Sequence, residues 1–287
     1  MSAPIDEQTA WDLLQALPAG LTGTTPVGRV HHNPRRDVWL QVDEVGRWEA
    51  SAQLTDAAHR TLELFLPLQL QEEFVIGQSG QSLDGRIATE GGHSHYVTGR
   101  EDILRLHRLR ALVDAVIVGA GTVAADNPRL TVREVEGNNP VRVVLDPNGR
   151  LDRRSHVFCD GAARTISVRR PDAQVAVDDR PADLDEVRLP SGADGFEPGT
   201  ILDTLRAKGL RRILVEGGGI TVSRFLQSGS LDRLHVTVAP MLIGSGRPAF
   251  VLQPIASLND ALRPACRHFH LGDDMLFDLD LRASPGL

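Results

Sequence analysis

The chain has 287 residues, 41% hydrophobic and 24% charged, and its 31 basic and 38 acidic side chains give a formal charge of -7. That balance excludes a disordered chain and a broad nucleic-acid-binding face, while arginines can still gather around a small phosphorylated ligand. Lysine occurs only at Lys208, in a stretch that reads as an exposed helix end, so a Walker-type phosphate loop is excluded, as is Schiff-base chemistry on any other residue.

Trp11, Trp39 and Trp48 are the only tryptophans and all lie within the first 48 residues, which marks residues 1–70 as a small unit ahead of residues 71–287. In that unit WDLLQALP predicts a short helix stopped near Pro18, VWLQV and RWEASAQL two strands around residues 43–46, and TDAAHRTLELFL a helix opening on Thr55 or Asp56. From Phe74 onward FVIGQSG, AVIVG, VRVVLD, RTISV, RRILVE, LHVTVAP and MLFDLDL read as strands. They alternate with helical patterns, as in an α/β fold with a largely parallel sheet. Thr98 and Glu101 form a capping-box pattern ahead of a helix whose inward positions are Ile103, Leu106, Leu109/Arg110 and Val113. TVSRFLQSG predicts a second helix, directly after Gly219 and ending at Gly229. The acidic, Pro- and Gly-rich stretch RRPDAQVAVDDRPADLDEVRLPSGADG reads as strands with surface loops, and no internal repeat occurs.

Two glycine loops follow buried strands. In RRILVEGGGITVSRFL, three glycines separate Glu216 from a helix start, where bare backbone amides can approach an anion. A tight turn would also use glycine, but three in succession exceed what one turn needs. In AVIVGAGTVAAD, the order Gly119, Gly121, Ala124 with Asp146 about 25 residues on matches the dinucleotide fingerprint formally. Asn127-Pro128 leaves barely one turn of helix there, too little for a true crossover, so the match is read as coincidence.

The segment SLDGRIATEGGHSHYVTG is polar and glycine-punctuated and reads as a loop over the carboxyl edge of the sheet, where open α/β folds bind ligands. Asp84-Gly85 fits a plain turn. Ser94 and Tyr96 flank the cleft as hydrogen-bond donors. His93/His95 and His268/His270 lack a third ligand at metal spacing, and Cys159 and Cys266 stand alone, so no metal site is expected. On residue type alone, Arg110 and Arg133 read as solvated arginines. The opening residues are acidic and no apolar run has membrane-spanning length, so a cytoplasmic protein without membrane contact is expected.

The collinear order SLDGRIAT, HSHYVTG, HRLRALVDAVIVGAGTVAADNPRLTVR, VRVVLDPNGR, ILVEGGGITVSRFL and LDRLHVTVAPMLIGSG resembles the riboflavin-biosynthesis pyrimidine reductases over about residues 74–281. The resemblance implies a dihydrofolate-reductase-like α/β fold, a mostly parallel sheet flanked by helices, behind a small N-terminal extension. It further implies NADPH-dependent reduction of a ribosylamino-pyrimidine 5′-phosphate to its ribitylamino form, with hydride passing to sugar C1′, in a homodimer. Matched by motif, Ser94, Arg110, Leu130 and Arg133 correspond to substrate contacts and Glu216 to a substrate-binding carboxylate beside the reacting sugar. Gly80, Tyr96, Thr122, Asp126, Gly218, Gly219, Ile220, Thr221, Val222, Ser223 and Arg224 correspond to cofactor contacts, and Asp126 also to a group assisting proton movement.

Three departures from the family pattern stand out. Tyr96 replaces a frequent tryptophan, and Gln78 stands where many relatives carry lysine. The HxE and PCxxC motifs of a zinc deaminase domain are absent from this sequence. A related reductase with another substrate is one alternative that the Gln78 change leaves open, and a nucleotide-binding regulatory protein without turnover is the other.

Overall fold

A computed structural model describes residues 3–20, 28–32, 37–43, 45–95, 97–173, 184–192 and 195–282. Two compact units divide the chain, residues 1–74 and 75–287.

The first unit contains α1 (Glu7–Ala16), β1 (Arg29–His31), β2 (Trp39–Val42), β3 (Trp48–Ala50) and α2 (Asp56–Gln69), with the strands paired antiparallel in chain order. Asp6 caps α1 and Thr55 caps α2, each through a side-chain oxygen that accepts an amide three residues on. Trp11 and Phe65 pack edge to face between the two helices, with centroids 5.6 Å apart. The predicted elements are all present, and β1 is additional. α2 runs on through Pro67.

The second unit begins with β4 (Phe74–Ser82), β5 (Arg86–Thr89), α3 (Arg100–Ala111), β6 (Ala115–Gly119), α4 (Ala120–Asp126) and β7 (Val141–Leu145). It continues with α5 (His156–Cys159), β8 (Thr165–Arg169), β9 (Leu184–Arg188), β10 (Ser191–Gly192), β11 (Gly195–Phe196), α6 (Pro198–Ala207) and β12 (Arg212–Glu216). It closes with α7 (Gly219–Gln227), β13 (Arg233–Ala239), β14 (Gly246–Pro248), β15 (Ala265–Leu271) and β16 (Asp274–Asp280). Nine strands form one sheet in the order β15-β16-β13-β4-β12-β6-β7-β8-β9. β13/β4 and the pairs from β12 through β9 are parallel, whereas β16 runs antiparallel to β13 and β15. The expected α/β architecture, mostly parallel and flanked by helices, is the one found.

The seven predicted strands of this unit are β4, β6, β7, β8, β12, β13 and β16, six of them with parallel neighbours. Ala115, Ile117, Val143, Ile166, Ile213 and Val215 are buried in one core with Val222 and Phe225 of α7 and Ile201 and Leu205 of α6. Burial on both faces accounts for their near-continuous apolar runs. β15 and β9 lie at the two edges of the sheet; the polar β15 gave no signal, whereas β9 falls in the acidic stretch that read as strands with surface loops. Residues 174–183 and 193–194 of the acidic stretch lie outside the described residues, and its remainder supplies β9 through β11.

Three local expectations are corrected. Gly99, not Thr98, is the N-cap of α3, and no side chain caps it: the Thr98 hydroxyl bonds Asp102 instead. The inward face of α3 is charged. Leu109 is buried as expected, but Ile103 and Leu106 are half-exposed while Asp102, Arg105, His107, Arg108 and Arg110 are buried. The polar segment after β4 is not simply a loop, because β5 pairs antiparallel with β14. Among the described residues no helix is long and apolar enough to cross a membrane.

Candidate active site

The ends of β4, β6, β7 and β12 enclose a cavity of about 630 Å³, within the usual range for small-molecule sites. Its middle is built from the two glycine loops, which interlock. The Gly218 amide donates to Thr122 Oγ1 at 2.8 Å, and a Cβ on Gly119 would lie 2.5 Å from Thr221 Oγ1. Gly217 has φ +96, which only glycine adopts without strain. A Cβ on Gly219 would meet the Pro248 and Ala249 carbonyl oxygens at 2.5 and 2.6 Å. Much of the glycine content therefore serves close backbone approach, and this approach brings the start of α7 to the cavity.

At the β4 end the lining includes Gln78, Ser79, Gly80 and Ser94, and Ser94 Oγ donates to Asp126 Oδ1 at 2.7 Å. Gln78 is 6% exposed. At the β7 end lie Leu145, Pro147, Arg150, Phe196 and Pro198, with Arg224 of α7 against Gly195 of β11. Arg150, Arg224 and Arg247 all line the cavity, and none has an acidic partner among the described residues. α4 is longer than the single turn expected, at seven residues, and ends on Asn127 at φ 41. The buried Asp146 carboxylate accepts the Arg150 and Leu151 amides at 3.1 and 3.0 Å, so it closes a turn instead of reading a ribose.

Gly80, Ser94, Thr122, Asp126, Gly218, Gly219, Ile220, Thr221 and Arg224 thus share one cavity. Val222 and Ser223 do not border it: Val222 is core, and Ser223 Oγ accepts the Val251 amide at 2.8 Å. Tyr96 lies outside the described residues.

Arg110, Leu130, Arg133 and Glu216 form an adjoining cluster, joined to the cavity through Gly217, which lines it. Arg110 is not solvated. At 7% exposure it makes a two-point ion pair with Glu216, Nε to Oε2 at 2.9 Å and Nη2 to Oε1. Leu130 is buried at φ 55, a strained conformation for a branched residue. Arg133 donates to Thr131 Oγ1 at 2.7 Å. Partial burial, and then the neighbouring Arg110 and Arg129, push the Arg133 pKa below its usual value. The guanidinium stays charged, with Glu134 and Glu216 offsetting part of this like charge, and an anion beside it would offset more.

His107, which carried no signal for a site, completes the cluster. Its Nδ1 accepts the Arg133 amide at 3.0 Å. Burial, followed by the charges of Arg110 and Arg133, lowers its pKa to about 4. The spacing of His107 and Arg110, one turn apart on α3, could have flagged it. Asp84 is structural: the Ser82 hydroxyl, then the Ile243 and Gly244 amides, lower its pKa to about 2 and tie two loops together. Among the described residues no group of three or more candidate metal ligands gathers.

Residues 73–276 match the RibD C-terminal domain family. The chain is 35% identical over 218 residues to the 2,5-diamino-6-ribosylamino-4(3H)-pyrimidinone 5′-phosphate reductase of Methanothermobacter thermautotrophicus, covering 73% of this chain and 98% of that one. The reductase of the same name from Archaeoglobus fulgidus is 32% identical over 183 residues, covering 60% and 82%. Among solved structures, the diaminohydroxyphosphoribosylaminopyrimidine deaminase/5-amino-6-(5-phosphoribosylamino)uracil reductase of Thermotoga maritima superposes with TM-score 0.62 at 26% identity. That superposition covers 80% of this chain and 64% of the Thermotoga chain.

Proposed function

The chain belongs to the RibD C-terminal domain family, and on that premise we propose that it reduces a ribosylamino-pyrimidine 5′-phosphate to the ribitylamino form, using NADPH. The observation that carries this reading is the single cavity running from the β4 end, past the start of α7, to the β7 end. Its glycine-lined middle suits a dinucleotide. The diphosphate belongs against Gly219 and Ile220, where helix-start amides favour an anion. Pro147 and Phe196 would hold the adenosine half, and Arg150 with Arg224 would take the 2′-phosphate that separates NADPH from NADH. Residues of the β4 end would hold the nicotinamide half, and the reduced cofactor would supply there a hydride for sugar C1′.

The protein's share is orientation and charge. Ser94 and Asp126 form a hydrogen-bonded pair at the reactive end, suited to holding a sugar hydroxyl and moving a proton as C1′ is reduced. Arg133, crowded by like charge, takes the substrate 5′-phosphate, and Glu216, held by Arg110, faces the sugar. A homodimer belongs to the same proposal: Val251, Leu252, Ile255, Leu258 and Leu262 form an exposed apolar run suited to a second copy, testable by sedimentation.

The test is consumption of NADPH with the diaminopyrimidinone or the aminouracil ribosyl 5′-phosphate, with the ribitylamino product identified by mass. Turnover of at least one is expected. NADPH binding without turnover of either would leave a nucleotide-binding protein and overturn the proposal.

A further inference from the structure

The loop bearing Arg133 has no helix or strand of its own, since residues 127–140 separate α4 from β7 without regular secondary structure. A residue meant to meet a phosphate needs its loop fixed from outside. Two contacts from α3 do this. Arg110 Nη1 reaches the Thr131 carbonyl at 3.4 Å, a long contact, and His107 Nδ1 accepts the Arg133 main-chain amide at 3.0 Å. The second is the better bond, and it acts on the very residue whose side chain faces the cluster.

We infer that His107 is a positioning residue, a neutral imidazole that anchors the Arg133 backbone so that its guanidinium is presented to the substrate phosphate. The assignment rests on the reading of Arg133 as a phosphate ligand. Its chemistry is specific. Nδ1 must accept, so the proton sits on Nε2, and the ring must be uncharged. A lysine or arginine could not accept that amide, and an imidazolium would add a third positive charge beside Arg110 and Arg133. Glu134, the acidic neighbour, is on the loop itself. His107 is 2% exposed, so an apolar side chain in its place removes the amide's acceptor on the buried side of the loop. The Arg133 amide would then be left unsatisfied and the loop would relax.

Three variants and one spectrum test this. His107→Leu fills the space without an acceptor, whereas His107→Asn restores an oxygen close to the Nδ1 position. Ribose 5-phosphate affinity, measured by calorimetry, should fall about tenfold or more in His107→Leu, as should affinity in Arg133→Gln, because a lost charge-assisted bond is of that size. NADPH affinity should be unchanged, KM for the pyrimidine substrate should rise more than kcat falls, and His107→Asn should stay within about threefold of the parent protein. If His107→Asn is as impaired as His107→Leu, or His107→Leu binds normally while Arg133→Gln does not, the tether is wrong and the Arg133 reading survives. If Arg133→Gln binds normally, both fail. Should the variants not fold, the ¹⁵N spectrum of the unaltered protein decides: an unprotonated Nδ1 and protonated Nε2 are expected at neutral pH, and a protonated Nδ1 overturns the tether.

Discussion

The carboxylate of Glu216 is held by Arg110 through two parallel bonds across the end of β12, both side chains almost fully withdrawn from water. Such a pair adds little net stability over an apolar substitute, but breaking it strands a buried charge. Arg110→Met should therefore cost about 3–5 kcal/mol in urea unfolding, and the double variant Arg110→Met/Glu216→Leu should recover most of it. A single variant within about 1 kcal/mol of the parent protein would show that water reaches Glu216.

Gly219→Ala tests the loop that delivers the start of α7. Its new methyl group would lie 2.5 and 2.6 Å from two carbonyl oxygens, neither of which is the tip of a flexible side chain. The backbone at residues 248–249 or the helix start must move. NADPH affinity should drop at least about tenfold, since amide geometry at an anion is unforgiving. Unchanged affinity, by fluorescence of the bound reduced nicotinamide, would place the diphosphate elsewhere.

Cofactor choice is assigned to Arg150 and Arg224. Replacing either with glutamine should weaken NADPH binding about tenfold, while NADH binding changes little, because a hydrogen bond to a charged group contributes about 1.5–3 kcal/mol. Comparison of 2′,5′-ADP with 5′-AMP by calorimetry isolates the phosphate from the rest of the cofactor. Equal losses for both nucleotides would refute the assignment.

Much of this architecture was legible. The apolar runs of β4, β6, β7, β8, β12 and β13 follow from burial on both sheet faces, and Gly217 to Gly219 announced a close backbone approach. β15 was not legible, because an edge strand needs no apolar run, and β9 was legible only as an unplaced strand of the acidic stretch. The charged inward face of α3 was also missed. Periodicity scores Ile103 and Leu106 as core, yet β13 of the sheet offers polar partners: Arg105 Nη1 meets His235 Nδ1 at 3.0 Å, and Asp102 accepts the Thr237 hydroxyl at 2.7 Å. The position of Arg133 depends on an acceptor twenty-six residues away, a relationship visible only once α3 and the loop are side by side.

Acid should destabilise the protein through His107. Its pKa of about 4 in the fold lies below the ordinary 6.5, so the unfolded chain takes up the proton first. The stability held by the neutral ring is fully present above pH 6.5, falls as pH drops through this interval, and levels off below about 4. The slope from this one group is at most about 1.4 kcal/mol per pH unit. Urea titrations at several pH values should show a shallower decline between pH 6.5 and 4 in His107→Asn than in the parent protein. Parallel curves would mean that the ring titrates normally.

The central claim is hydride delivery from bound NADPH to C1′ of a ribosylamino-pyrimidine 5′-phosphate. NADPH deuterated at the nicotinamide C4, followed by mass and NMR analysis of the product, tests it most directly. One deuterium at C1′ of a ribityl chain, with the pyrimidine unlabelled, is the predicted result. Label on the pyrimidine ring, or cofactor oxidation with no deuterium in the product, would contradict it.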